Sequence, residues 1–227
     1  MMKPFFSILL VLSVSSLSAQ NLKNFSVPKG YTQIAEAKGD LDKDGKEETV
    51  LVFNTNIKAS YEQNPEGTID YKRVFYILKK ENKGLKVWKE NSDIIFSSGF
   101  GFYPSDNTLT IHIKNNCLII EQLFFTNSRH TQQYKHTFRF QNGDFYLIGL
   151  YDHFEDTCDF SFTNEINFST GKVIVHREYS SCDEDTKVPE NSHKEFTHQF
   201  PALIKMNDFF IGDHKFRLPG LKEDFVF

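Results

Sequence analysis

The chain has 227 residues and a formal net charge of −4 at pH 7, with acidic and basic residues interspersed along its length. No basic stripe points to nucleic acid, no basic amphipathic helix points to a membrane surface, and beyond the first residues no apolar stretch is long enough for a transmembrane segment. With 24 Phe and 9 Tyr against one Trp, the composition favours strands around a core rich in aromatic rings.

Lys3 precedes an apolar run from Phe5 to Leu12, and small residues follow: Ser13, Ser15, Ser16, Ser18 and Ala19. The order basic, apolar, small is that of a cleaved secretory signal. The run is too short to cross the roughly 30 Å of a bilayer as a helix. Cleavage is expected after Ala19, which leaves a single mostly-β domain over 20–227, periplasmic or secreted. Export permits a disulfide. The chain has three cysteines, Cys117, Cys158 and Cys182, so one thiol is left over.

Residues 20–30 are polar, and Tyr31 to Ala37 reads as a short strand. After an Asp-rich loop, Thr49-Val50-Leu51-Val52-Phe53 is a continuous β-branched and aromatic run, the pattern of a buried strand. Residues 55–69 read as an exposed loop and Val74–Leu78 as another strand. Asn82-Lys83-Gly84 then turns the chain into Leu85–Trp88. Leu109–Lys114 is expected to pair with Cys117–Ile120 across Asn115-Asn116, since Asn tolerates positive φ. His136–Phe140 is expected to meet Phe145–Ile148 across Asn142-Gly143, the strongest short-range hairpin signal. That register sets Phe140 opposite Phe145 and Phe138 opposite Leu147.

A third hairpin turns at Ser169-Thr170-Gly171. With Gly171 left-handed, Cys158 and Cys182, each twelve residues from Thr170, fall opposite one another, and a Cys158–Cys182 disulfide is expected. The apolar faces match better one residue out, with Phe168 opposite Val173 and Ile166 opposite Val175. A one-residue slip reverses every side chain, so both hold only with an intervening bulge. Cys117 reads as a small buried hydrophobe. Pro201–Met206 suggests a helical turn, and Phe209–Ile211 with Lys215–Leu218 suggests a hairpin around Gly212-Asp213. Together these hairpins imply an all-β fold of antiparallel strands in packed, sandwich-like sheets, with a partial β-propeller as the alternative.

The segment with specific chemistry is Gly39-Asp40-Leu41-Asp42-Lys43-Asp44-Gly45-Lys46-Glu47-Glu48. Carboxylates at loop positions one, three and five converge when the chain curls. Gly at position six allows the sharp turn, position seven offers its carbonyl, and position nine adds an acid. A hard cation such as Ca²⁺ takes six to eight oxygens in this way. The expected ligands are Asp40, Asp42, Asp44, the Lys46 carbonyl and Glu48. Position twelve is Leu51, and a strand follows in place of a helix, so the loop is not an EF-hand. It resembles the Asp-rich loops of FG-GAP/VCBS-type repeats, which lead directly into a strand, within a chain laid out like small exported Bacteroidota-type proteins of unknown function. The resemblance implies a structural Ca²⁺ site in a single copy and carries no activity across.

The histidines, His112, His136, His176 and His198 among them, read as surface or hydrogen-bonded residues. His193 and His198 would face opposite sides of one strand. The chain has no nucleophile-elbow, zinc-protease, P-loop or dinucleotide fingerprint. Three functions are weighed. The first is an exported, non-catalytic, Ca²⁺-stabilised binding or envelope-associated module with a protein or glycan partner. The second is a hydrolase using Asp152, Glu155, Asp156 and Asp159 with Asp183, Glu184 and Asp185 as paired acids. The third is an inhibitor or immunity-type protein that presents the loop Gly99–Asp106.

Overall fold

The computed structural model describes residues 23–59, 69–217 and 224–227. The expected signal peptide over 1–19 and most of the expected loop over 55–69 lie outside the described residues. Among the described residues there are fourteen strands, two short 3-10 turns at Pro104–Asp106 and Met206–Asp208, and no α-helix. The strands form three antiparallel sheets, none closed into a barrel.

The first sheet contains β1 (Lys23–Asn24), β2 (Thr32–Gly39), β3 (Glu48–Lys58), β4 (Tyr71–Glu81) and β5 (Gly84–Asn91), in the order β1-β5-β4-β3-β2. The second is a plain meander of β6 (Thr108–Lys114), β7 (Cys117–Phe125), β8 (His130–Gln141), β9 (Asp144–Asp156), β10 (Phe160–Asn167), β11 (Lys172–Tyr179) and β12 (Ser192–Thr197). A small third sheet pairs β13 (Lys215–Arg217) with β14 (Asp224–Val226). The two large sheets pack as a sandwich. Val50, Val52, Phe75 and Ile77 of the first meet Ile111, Leu118, Ile120, Phe138, Phe145 and Leu147 of the second in one core. Burying each such side chain contributes about 1.5–3 kcal/mol.

The continuous apolar run in β3 has a direct cause. Val50 and Val52 face the sandwich core, while Leu51 and Phe53 face the other way, beneath Phe25, Tyr31, Leu85 and Val87. The first sheet is therefore covered on both faces, and no alternation survives in the sequence. In β5 the register jumps from Ile77↔Lys89 to Leu78↔Val87. This bulge leaves Trp88 without a partner on β4 and lets it lie edge-on to Phe140 and Phe145 of the second sheet.

The two Asn turns form as read. Asn115 and Asn116 (φ 53° and 57°) join Lys114 to Cys117, and Asn142 and Gly143 (φ 51° and 81°) join Gln141 to Asp144, with Phe140 opposite Phe145 and Phe138 opposite Leu147. The third hairpin corrects both expected registers. Asn167 pairs with Lys172 and Ile166 with Val173, around a four-residue loop, and the ladder carries no bulge. The Asn167 side chain accepts the N–H groups of Ser169 and Thr170, and its carbonyl accepts that of Gly171. This Asx turn absorbs one residue more than a three-residue loop does. Gly171 is left-handed as expected, at φ 75°.

The C-terminal reading is corrected twice. The helical turn falls at Met206–Asp208, not Pro201–Met206, because the backbone at Ile204 and Lys205 pairs with β9. The Ile204 carbonyl accepts the Leu147 N–H at 2.9 Å, and Lys205 bridges Tyr146. The segment 209–211 forms no strand. Phe209 is buried against His136 and Phe138, and β13 takes β14 as its partner.

Candidate metal centre

The Asp loop bridges β2 and β3 at one end of the sandwich. Two left-handed residues curl it, Lys43 at φ 66° and Gly45 at φ 81°. Asp40 accepts the N–H of Lys43 on one oxygen at 2.6 Å and that of Gly45 on the other at 3.1 Å. Asp42 accepts the N–H of Asp44, and Asp44 that of Lys46. Glu48 opens β3 with its side chain turned back under the loop, accepting the Leu41 N–H at 2.8 Å. The loop also touches the second sheet, where the Asn116 amide donates to the Asp40 carbonyl at 2.7 Å.

One carboxylate oxygen each from Asp40, Asp42 and Glu48 lies within 4.8 Å of the others. Ca²⁺–oxygen distances are about 2.3–2.6 Å, so a single ion can touch three oxygens spread over roughly twice that. Asp44 stands outside this group, and its carboxylate lies 3.7 Å from the Lys46 ammonium. Glu48 is 2 % exposed. Its pKa is raised by burial, with the charges of Asp42 and Asp44 adding to the rise and the Leu41 N–H and Lys79 opposing it.

Sequence reading missed one participant. The Lys79 ammonium, from β4, makes an ion pair with Asp42 and lies 4.0 Å over the Trp88 ring. It neutralises one acid of the three and competes with a cation for that oxygen. No local pattern marks it, because Lys79 and Asp42 are 37 residues apart.

The cysteines behave as read. Cys158 and Cys182 form a disulfide with Cα atoms 5.2 Å apart, just beyond the last ladder pair, Phe160 and Tyr179. Cys117 is a buried free thiol whose pKa is raised by burial. Near this bond Asp156 and Asp159 share the Arg129 guanidinium, at 2.6 and 2.9 Å, but among the described residues no three carboxylates of the two acidic runs gather at one point. Asp152 is buried and accepts from the Asn164 amide at 2.8 Å and from Gln132. Its pKa is raised by burial against the pull of those amides. Glu155 engages Thr131 and His153. Asp156 bonds Arg129 at 2.6 Å and His130 at 2.9 Å. Burial works to raise the Asp156 pKa, but the N–H groups of Cys158 and Asp159 and the Arg129 guanidinium hold it at about 2. Asp183, Glu184 and Asp185 are exposed.

The histidine reading needs correction at His136, which is fully buried, with no hydrogen-bond partner for either ring nitrogen among the described residues. His176 and His193 face each other across β11 and β12 with ring centroids 5.5 Å apart. The loop Gly99–Asp106 is held by the Phe102 N–H to the Phe125 carbonyl and by the Asn107 amide to the Phe100 carbonyl. Phe100 stacks on Phe96, while Phe102 and Tyr103 are exposed at 46 % and 42 %.

No protein-family model, curated protein or solved structure matches the chain. Among the described residues, no helix is long and apolar enough to cross a membrane.

Proposed function

We propose that the chain is an exported, Ca²⁺-stabilised binding module, with the cation held in the FG-GAP/VCBS-like loop at residues 40–48 and a protein or glycan of the envelope or its surroundings as ligand. The observation that carries the cation is the convergence of Asp40, Asp42 and Glu48 on one point, with Glu48 buried among like charges. Three clustered acids repel one another, and a divalent ion converts that repulsion into cross-linking. The Asp44 carboxylate and the Lys46 carbonyl complete the oxygen set after a local rearrangement, while the Lys79 ammonium gives up Asp42. The Cys158–Cys182 bond supports export, because structural disulfides persist in oxidising compartments.

Calorimetric titration of the chelator-treated protein with Ca²⁺ tests this reading. One equivalent is expected to bind, and a saturating excess of about 100 times Kd should stabilise the fold by about 2.7 kcal/mol. Asp42→Ala should abolish both effects. Absence of heat and of any melting shift would remove the cation from the proposal.

A second reading, a partner-blocking protein of the inhibitor or immunity type, is favoured by the pinned loop that exposes Phe102 and Tyr103. A photo-crosslinking residue at position 102 should give one discrete adduct in the producing cells. An adduct pattern equal to that from exposed position 188 would sink the reading.

A further inference from the structure

The inner face of β4 carries Arg73, Phe75, Ile77 and Lys79 in alternation. A cation thus stands at each end of two core residues, and the two cations are treated differently. Lys79 has the Asp42 carboxylate and the Trp88 ring. Among the described residues Arg73 has only neutral acceptors: its Nε donates to the Asn54 side-chain oxygen at 2.9 Å, and one terminal nitrogen reaches the Phe96 carbonyl at 3.5 Å. No carboxylate lies within ion-pair distance of it among the described residues. The charge of Asp70 reaches Arg73, but both Asp70 oxygens are taken, one by the Ser97 hydroxyl and the other by the Gly99 N–H and the Ser98 hydroxyl. A guanidinium has five donors in a fork that matches a carboxylate. Among the described residues, most of that fork has no protein acceptor.

Arg73 lines a cleft of about 240 Å³ at the end of the sandwich opposite the Asp loop. Ala59, Ile95, Phe96 and Ile211 supply apolar walls, and Ser92 and Ser97 supply hydroxyls. Lys72 and Asp93 line it as well. The volume lies just below the roughly 300–1,000 Å³ of drug-sized sites. Arg73 is half-buried, and the apolar walls strengthen any pairing made there.

We infer that this cleft binds a small organic carboxylate, with the carboxylate on the fork of Arg73 and an apolar body against Ile95, Phe96 and Ile211. The calcium loop plays no part in the site, so this inference stands or falls separately from the cation reading. Asp93 opposes an anion and sets an upper limit on affinity.

The test is a nitrogen–proton NMR titration of the whole protein with benzoate, benzamide and inorganic phosphate at constant ionic strength. Benzoate should give saturable shifts at the amides of Arg73, Ile95, Phe96 and Ile211, and benzamide should give none. Arg73→Gln should weaken benzoate by about ten-fold or more, the loss of a charge-assisted hydrogen bond. Arg73→Lys, which keeps the charge and loses the fork, should also weaken it. Asp93→Asn should tighten benzoate, a gain that a structural role for the cleft would not produce, and it keeps the test valid should the Arg73 variants fold poorly. Equal shifts with benzamide, or unchanged affinity in both Arg73→Lys and Asp93→Asn, would overturn the inference. Phosphate binding as tightly as benzoate would overturn the apolar half of the site.

Discussion

His136 sits on the inner face of β8 between Ile120 and Leu150, with Tyr134 and Phe209 against its ring. None of these groups can solvate an imidazolium, and burial pushes the His136 pKa from 6.5 down to about 3. The unfolded chain therefore takes up a proton that the folded chain refuses. The neutral ring contributes its full stability above pH 6.5, and that contribution is lost progressively as pH falls toward 3. Between pH 7 and pH 5 the loss is expected to be about 2 kcal/mol. Urea denaturation at the two pH values measures it, and the difference should shrink by about that amount in His136→Leu, where the other groups titrate unchanged. An equal pH dependence in both proteins would contradict the account. At this scale, sequence legibility ended at chain distance. The acids Asp40, Asp42 and Glu48 lie within nine consecutive positions and were readable as a group. Lys79 and Arg73 acquire their meaning from strand β4 and its neighbours, and His136 from the C-terminal segment that lays Phe209 over it.

Turns separate what local sequence determines from what tertiary contacts determine. Asn142-Gly143 and Asn115-Asn116 set their registers alone, because positive φ at both central positions admits few other connections. The Asn167–Lys172 loop did not, because the Asn167 side chain could organise a loop of more than one length. The segment 209–217 departs from the expected hairpin for a related reason: Phe209 is buried against Phe138 and His136, contacts that no local pattern marks. Two glycines test the turn account. Gly143 has φ 81° and open space where a Cβ would stand, while a Cβ on Gly171, at φ 75°, would lie 2.2 Å from the His198 carbonyl oxygen. Gly143→Ala should cost about 1–2 kcal/mol, the left-handed penalty alone. Gly171→Ala should cost clearly more in the same denaturation assay, because the obstacle is backbone that itself bonds Gly171 through the His198 N–H. Further along the same hairpin, the disulfide closes a separation of 24 residues. Replacing both Cys158 and Cys182 by Ser should lower stability by about 3 kcal/mol through the freed unfolded chain, and a loss near zero would show that the β10–β11 ladder holds its end unaided.

At one corner the sandwich is joined by a close glycine contact and a side-chain bond to a backbone carbonyl in addition to apolar packing. β2 ends at Gly39, where a Cβ would stand 2.7 Å from the Ile113 side chain of β6, and the next residue, Asp40, takes the Asn116 amide on its carbonyl. A cation in the loop would thus act on both large sheets: it fixes Asp40, and Asp40 holds the β6–β7 turn. The all-β class and the hairpin order were readable from alternation and turn residues. This corner was not, because it depends on two edge strands, β2 and β6, that no short segment relates. Hydrogen exchange with and without Ca²⁺ measures the coupling. Ca²⁺ should slow exchange at the loop amides of Leu41, Lys43 and Gly45 and also at the Asn115–Leu118 turn, and leave the Asn142-Gly143 turn unchanged. Asn116→Gly keeps the left-handed backbone and removes the amide. In that variant Ca²⁺ should still protect the loop but no longer the β6–β7 turn. Protection of the turn that persists in Asn116→Gly would mean that the sheets are coupled through the Gly39–Ile113 contact instead, and that the Asp40–Asn116 bond transmits nothing.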